Sequence, residues 1–293
     1  MSKYYYLIAG LPNIAFDDGK LPYTVLGFKE ELLYYLKKKD CRLLDILLLR
    51  IDNRNLLKQL QHPGFDFEQG GKVSRDEIAE LLDGVRNERD DEKPFRNRNK
   101  NIPHYFEELV RMYEQADDET RTHLPWIDIL GSQYFSYGLN IENRFVSAWF
   151  TLNLDINNIL TAMTCRKYKL ERANFIIGNT ETAEKLRTSN ARDFDLGDTL
   201  ELLPAVMKIS DEPDLYLRER RKDRLRWDWL EEQTFACIFD VESVLAYFLK
   251  LEIMERWNSL DKAEGERAFR QLAGNMKRGS DNALKEFERN NKK

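Results

Sequence analysis

An all-α fold is what this sequence predicts, on three grounds. Apolar residues return at helical spacing along most of the chain. Helices do not alternate with strong β runs, so a parallel α/β sheet has no strands to be built from. The 293 residues are one-third charged and 42% apolar, with aromatic and aliphatic side chains recurring throughout. That is the composition of a globular protein with a large charged surface rather than of a disordered chain.

The opening "KYYYLIAGLP" is ambiguous: it has strand propensity, but one short run cannot make a sheet. "YTVLGFKEELLYYLKKKD" follows with Val25, Phe28, Leu32, Tyr35 and Leu36 on one helical face, and its lysines gather where a helix dipole favours cations. "CRLLDILLLRIDNRNLLKQL" reads as one or two helices, and "HPGFDFEQGGK" as a turn-rich break in which Gly70–Gly71 is a turn. Ser74 with Glu77 predicts a capping box opening the helix "SRDEIAELLDGV".

Residues 87–103, "NERDDEKPFRNRNKNIP", are nearly all polar with two prolines, and predict an exposed linker or mobile loop. "YFEELVRMYEQA" is amphipathic. In "ENRFVSAWFTLNLDINNILTAMTCRKYKLE", Phe145, Trp149, Leu152, Ile156, Ile159, Leu160 and Met163 predict one long helix or two abutting ones. "FIIGNT" fits a short strand, or a loop with a helix start at Asn179 or Thr180. Pro213 suits the first turn of the charged helix "EPDLYLRERRKDRLRWDWLEEQTF". "DVESVLAYFLKLEIMERWNSLD" carries two apolar stripes and predicts a helix buried on more than one side; the last thirty residues read as a polar helix that frays.

The net charge of −5 argues against a generic nucleic-acid binder. No apolar run reaches the roughly 18 residues of a membrane helix, and the N-terminus lacks a signal peptide's apolar core, so a cytoplasmic location is expected. Cys41, Cys165 and Cys237 are odd in number and far apart, which predicts thiols rather than a disulfide framework. Phosphate-loop, zinc and nucleophile-elbow signatures are missing, and His62, His104 and His123 stand apart beside prolines or loops. The expectation is therefore no catalytic residue, no metal site, no cofactor and no small-molecule substrate. Arg218, Arg221 and Arg224 fall at i, i+3 and i+6 before Trp227 and Trp229. This stripe fits a partner-protein contact, a nucleic-acid surface or a solvated face paired with acids of its own helix.

One pattern recurs. "IDNRNLL" (51–57), "LDINNIL" (154–160) and "FDVESVL" (239–245) share an apolar residue, Asp, two variable residues, Asn or Ser, an aliphatic and Leu. Asp52, Asp155 and Asp240 lie 103 and 85 residues apart, too far and too uneven for a solenoid. The reading is either chance or three related helical units, with Asp52, Asn55, Asp155, Asn158 and Asp240 as architecture.

"LDINNILTAMTCRKYKL" resembles the Asp-x-x-Asn-Ile signature, followed by Arg and Lys, of the C subunit of A/V-type ATPases (subunit d in eukaryotes). "DVESVLAYFLKLEIMER" is similar to that family's C-terminal helix: Leu245, Ala246, Tyr247 and Glu252 match, while Leu251 and Met254 depart from its Lys and second Glu. The opening "YYYLIAGLPNI" resembles a divergent bacterial relative encoded among V-type ATPase genes. The resemblance implies three related helical bundles in an elongated or funnel-shaped body, divided here as 1–100 with the polar insert 87–103, 101–195 and 196–293. It also implies a non-catalytic central-stalk adaptor, peripheral at the inner face of the membrane, whose partners are the stalk subunits and the proteolipid ring. Two other readings stand beside it: a helical scaffold that binds another protein, and an enzyme whose site is assembled from distant acids and histidines.

Overall fold

The computed structural model describes residues 4–62, 64–88, 95, 97–237 and 239–259. These form twelve α-helices and one 3-10 turn, with no strand among the described residues. The fold is all-α. The polar C-terminal helix expected beyond residue 263, and residues 89–94 and 96 of the polar insert, lie outside the described residues.

The chain divides into two compact units. One joins residues 1–35 to residues 204–293; the other is the continuous stretch 36–203. Three consecutive segments, 1–100, 101–195 and 196–293, do not follow this division. The N-terminal residues group with the C-terminal ones because their apolar side chains find cover there.

In the discontinuous unit, α1 (Tyr5–Ala9), α2 (Val25–Tyr35), α10 (Leu203–Ser210), α11 (Leu215–Thr234) and α12 (Val241–Ser259) are the helices. The ambiguous opening is a short helix. It is closed by local bonds such as Ile8 N–H to Tyr4 O (3.0 Å), while Tyr4 N–H donates to Phe239 O (2.7 Å). Phe28 and Leu32 of α2 are fully buried. The Phe28 ring lies 5.3 Å from Tyr247 and 6.4 Å from Phe248 of α12. Burying each such side chain contributes roughly 1.5–3 kcal/mol. Val241, Val244, Leu245, Phe248 and Leu251 of one apolar stripe of α12 are buried, as are Leu249, Ile253, Met254 and Trp257 of the other, whose Tyr247 is half-buried. Asp214 caps α11, its carboxylate accepting from Leu217 N–H at 2.9 Å, so Pro213 stands just outside the helix.

α2 begins differently. Thr24 Oγ1 accepts from Gly27 N–H (3.1 Å), and Glu255 Oε1, 230 residues along the chain, accepts from Val25 N–H (2.9 Å). A carboxylate at a helix N-terminus satisfies a stranded donor and complements the dipole.

The continuous unit holds α3 (Lys38–Gln61), α4 (Arg75–Asn87), α5 (His104–Gln115), α6 (Asp118–His123), α7 (Trp126–Leu139), α8 (Arg144–Tyr168), a 3-10 turn (Arg172–Asn174) and α9 (Glu181–Thr188). α3 and α8 are each one unbroken helix, of 24 and 25 residues. The Ser74–Glu77 capping box of α4 is complete. Leu56, Ile78, Leu81, Phe106, Leu109 and Val110 centre one apolar core shared by α3, α4 and α5. A second core surrounds Phe150 of α8, whose ring lies 4.9 Å from Tyr134 and 6.2 Å from Phe135 of α7. Gly138 of α7 faces that ring; a Cβ there would overlap it, so the helix tolerates glycine for the sake of close packing.

The described part of the polar insert is tethered. Asn99 and Asn101 donate to Glu77 Oε1 (2.7 and 2.9 Å), Asn97 N–H donates to Glu107 Oε2 (3.2 Å), and Arg111 donates to Phe95 O (2.6 Å). Burial raises the Glu77 carboxyl's pKa, but bonds from Asn99, Ser74 and Asn101 outweigh it and bring the value down to about 2.

Candidate functional site

Two copies of one device sit in the continuous unit. Asn55, in the middle of α3, donates from Nδ2 to Glu68 O and accepts at Oδ1 from Glu68 N–H, both at 2.9 Å. Asn158, in the middle of α8, does the same to Ile177: it donates to the carbonyl at 2.8 Å and accepts from the N–H at 3.1 Å. Each primary amide thus satisfies both main-chain groups of one residue in the segment returning past its helix. Both asparagines are buried, at 0% and 1% exposure, where an unmade hydrogen bond is costly. Each clamped segment then reaches an N-cap hydroxyl, Ser74 of α4 or Thr180 of α9. The helix start expected at Asn179 or Thr180 is the one Thr180 caps.

The aspartates one turn earlier differ. Asp52 accepts from Lys72 N–H (Oδ2, 3.0 Å) and Val73 N–H (Oδ1, 3.1 Å). The glycine pair makes this approach possible. Gly70 takes φ +96°, and a Cβ on Gly71 would overlap the Asp52 carboxylate. Arg54 with Glu68 and Lys72 with Asp45 add ion pairs between the same loop and α3. In the second copy the segment between clamp and cap is shorter. Asp155 is 3% exposed, its Oδ1 finds no partner among the described residues, and burial pushes its pKa up to about 6. Here Arg187 of α9 secures the segment, donating to Ile176 O (3.0 Å) and Gly178 O (2.5 Å).

The third echo is placed otherwise. Asp240 is buried but precedes α12 instead of lying within a helix, and Ser243, at the position of the asparagine, donates its hydroxyl to Cys237 O. Tyr247 donates to Pro12 O (3.1 Å), with its pKa raised to about 12 by burial. Glu252 is half-buried on the same helix. The neighbouring Glu255 does the capping.

The arginine stripe on α11 is largely spoken for. Arg221 pairs with Glu212 (2.7 Å), Arg224 with Asp228 (2.9 Å), and Arg220 beside them with Asp17 (2.6 Å); Arg218 is half-buried. Within this run, one of the acids expected to pair with the stripe on its own helix, Asp223, has a larger role in the core. Asp223 is 1% exposed; it accepts from Trp257 Nε1 (2.8 Å) and Arg226 (2.9 Å) and pairs with Arg256. The signal was present: Asp223, Trp227 and Leu230 share a helical face, and the latter two are core residues.

Among the described residues, no group of three or more His, Cys, Asp or Glu side chains is placed to hold a metal ion, and no helix is long and apolar enough to cross a membrane. His104 is exposed and stands 3.1 Å from Glu108. The three cysteines are free thiols, with those of Cys41 and Cys165 raised in pKa chiefly by burial. What the clamps do chemically is fix backbone.

A family model described as "Protein of unknown function (DUF2764)" matches residues 1–280. The chain belongs to the DUF2764 family. No curated protein and no solved structure matches it. In this DUF2764 member, the two asparagine clamps lie in the continuous unit.

Proposed function

We propose that the protein is a non-catalytic central-stalk adaptor of a V-type ATPase, linking the rotor shaft to the proteolipid ring. The observation that carries this reading is the duplicated clamp: two long helices, each gripping a returning segment through a mid-helix asparagine. The resemblance to the C subunit rests in part on the Asp-x-x-Asn signature, and in both of its occurrences the asparagine, Asn55 or Asn158, has the same architectural role. An adaptor transmits force, and doubly bonded, buried backbone clamps suit a stiff body. Purified stalk subunits offered to the full-length protein should retain it at low and moderate salt; no association at either would sink the proposal.

The alternative is a helical scaffold with another protein partner. It draws on α11, where the arginines expected to meet a partner are held by Glu212 and Asp228 of the same chain. Partners recovered from cells under crosslinking separate the two.

A further inference from the structure

Four cations stand together where α8 ends: Arg166, Lys167, Lys169 and Arg172. Among the described residues none of them is ion-paired; the ion pairs of this region belong to Lys185 with Glu181 and Arg187 with Glu184. Arg166 donates to Arg192 O (2.7 Å) and Ala191 O (2.6 Å), and Arg172 to Ser189 O (2.5 Å) and Asn190 Oδ1 (3.0 Å). Both guanidiniums pack on the buried Phe194 ring, at 3.8 and 5.5 Å from its centroid. Neutral oxygens therefore orient these two charges; of the nearby acids, Asp193 acts on Arg166 through its charge without an ion-pair contact among the described residues. The nearby acids are otherwise arranged: Asp195 accepts from Ser189 Oγ (2.5 Å), Asp193 accepts from Asp195 N–H (3.2 Å), and Glu171 is exposed. This contrasts with α11, where the arginines meet carboxylates.

Two further features set this end apart. The helix closes in a Schellman turn, with Leu170 N–H to Cys165 O (2.9 Å) and Lys169 N–H to Arg166 O (3.4 Å). The residue in the left-handed conformation is Lys169, at φ 56°, where glycine is the favoured choice. The residue after that position ordinarily folds its apolar side chain back onto the helix, yet Leu170 is 46% exposed and Tyr168 51%. Local stability is forgone at both positions, and the gain is a surface of charge and apolar area.

We infer that the C-terminal end of α8 is a docking surface for an acidic, amphipathic segment of a partner protein. Carboxylates of that segment would meet Lys167, Lys169 and the two anchored guanidiniums, and an apolar side chain would cover Tyr168 and Leu170. Tyrosine and arginine are the residues that anchor protein interfaces. A polypeptide fits better than a bilayer or a nucleic acid. The patch is small, two of its four charges are fixed in direction, and the chain as a whole carries −5, which repels extended anionic surfaces. The inference goes beyond the adaptor reading and stands with any acidic partner.

The test uses the full-length protein and three probes: a labelled Glu- and Leu-rich amphipathic peptide, phosphatidylserine vesicles and oligothymidylate. The peptide should bind saturably at low salt. The Lys167→Glu/Lys169→Glu variant should weaken it at least tenfold, and Lys39→Glu, at an exposed position of α3, should leave it unchanged. Should that variant fold poorly, Lys167→Gln/Lys169→Gly keeps the turn and should still weaken binding several-fold. Absence of saturable peptide binding, undiminished binding by both lysine variants, or tighter binding to vesicles or oligothymidylate would each overturn the inference.

Discussion

Asn158 satisfies both main-chain groups of Ile177, donating to its carbonyl at 2.8 Å and accepting from its N–H at 3.1 Å. Asn158→Ala therefore strands two groups beside a fully buried stretch of α8. The expected loss is about 2–6 kcal/mol, from roughly 1–3 per unsatisfied group. It should be read as a lower midpoint with unchanged slope in urea unfolding. Asn158→Asp should cost at least as much, because its second oxygen faces the Ile177 carbonyl. Asn55→Ala should behave alike through Glu68.

Asp155 gives a pH signature of the opposite sign to that of a paired acid. Its folded-state pKa, near 6, lies above the ordinary carboxylate range because of burial. The group therefore favours the fold below that ordinary range, and the contribution is lost as pH rises through about 6. Asp155→Asn should raise stability by about 1–3 kcal/mol at pH 7.5, and should flatten the dependence of melting temperature on pH between 4 and 7. An unchanged profile in the variant would assign that dependence elsewhere.

Glu77 acts in the other direction. Burial works against its charge, but bonds from Asn99, Ser74 and Asn101 prevail and bring its pKa to about 2. Its contribution is complete above the ordinary glutamate pKa and disappears as pH falls toward 2. Glu77→Gln should reduce stability by about 1–2 kcal/mol at pH 7, the scale of a lost cap with its partners. It should also speed amide exchange at Asn99 and Asn101, measured by hydrogen–deuterium exchange.

Asp223 is the charged centre of the α11–α12 contact, with Trp257 and Arg226 both bonded to it. Asp223→Ala leaves Arg226, mostly buried, without that carboxylate. Removing one partner of a buried pair costs about 3–5 kcal/mol. Chemical denaturation followed by tryptophan fluorescence should show it, since Trp257 loses its acceptor in the same step.

The all-α class and most helix positions were legible because apolar spacing and caps are local properties. The Ser74–Glu77 box and the two-sided burial of α12 could be read directly. The opening "KYYYLIAGLP" could not, since strand-prone residues become helical when no neighbouring strand is there to pair with them. The echo of three Asp motifs was visible, but its meaning was not. Asn55 and Asn158 act through main-chain groups 13 and 19 residues away, and a backbone acceptor leaves no mark on a sequence. Asp240 shares the letters and lacks the mid-helix setting. The arginine stripe was equally plain, yet whether it faces a partner or its own acids depends on Glu212 and Asp17, which only folding brings near.

The bond from Val25 N–H to Glu255 has a consequence for biosynthesis. Residues 36–203 form a continuous unit and can leave the ribosome and fold as it is made. The first 35 residues emerge earlier still, but the carboxylate that starts α2 and the rings that cover Phe28 belong to α12. The earlier-made segment thus waits for a much later one, with Phe28 and Leu32 uncovered in the interval. During that interval the nascent chain is a natural client for a holding chaperone, and translation that stops short of residue 255 yields a folded middle flanked by an unfinished beginning.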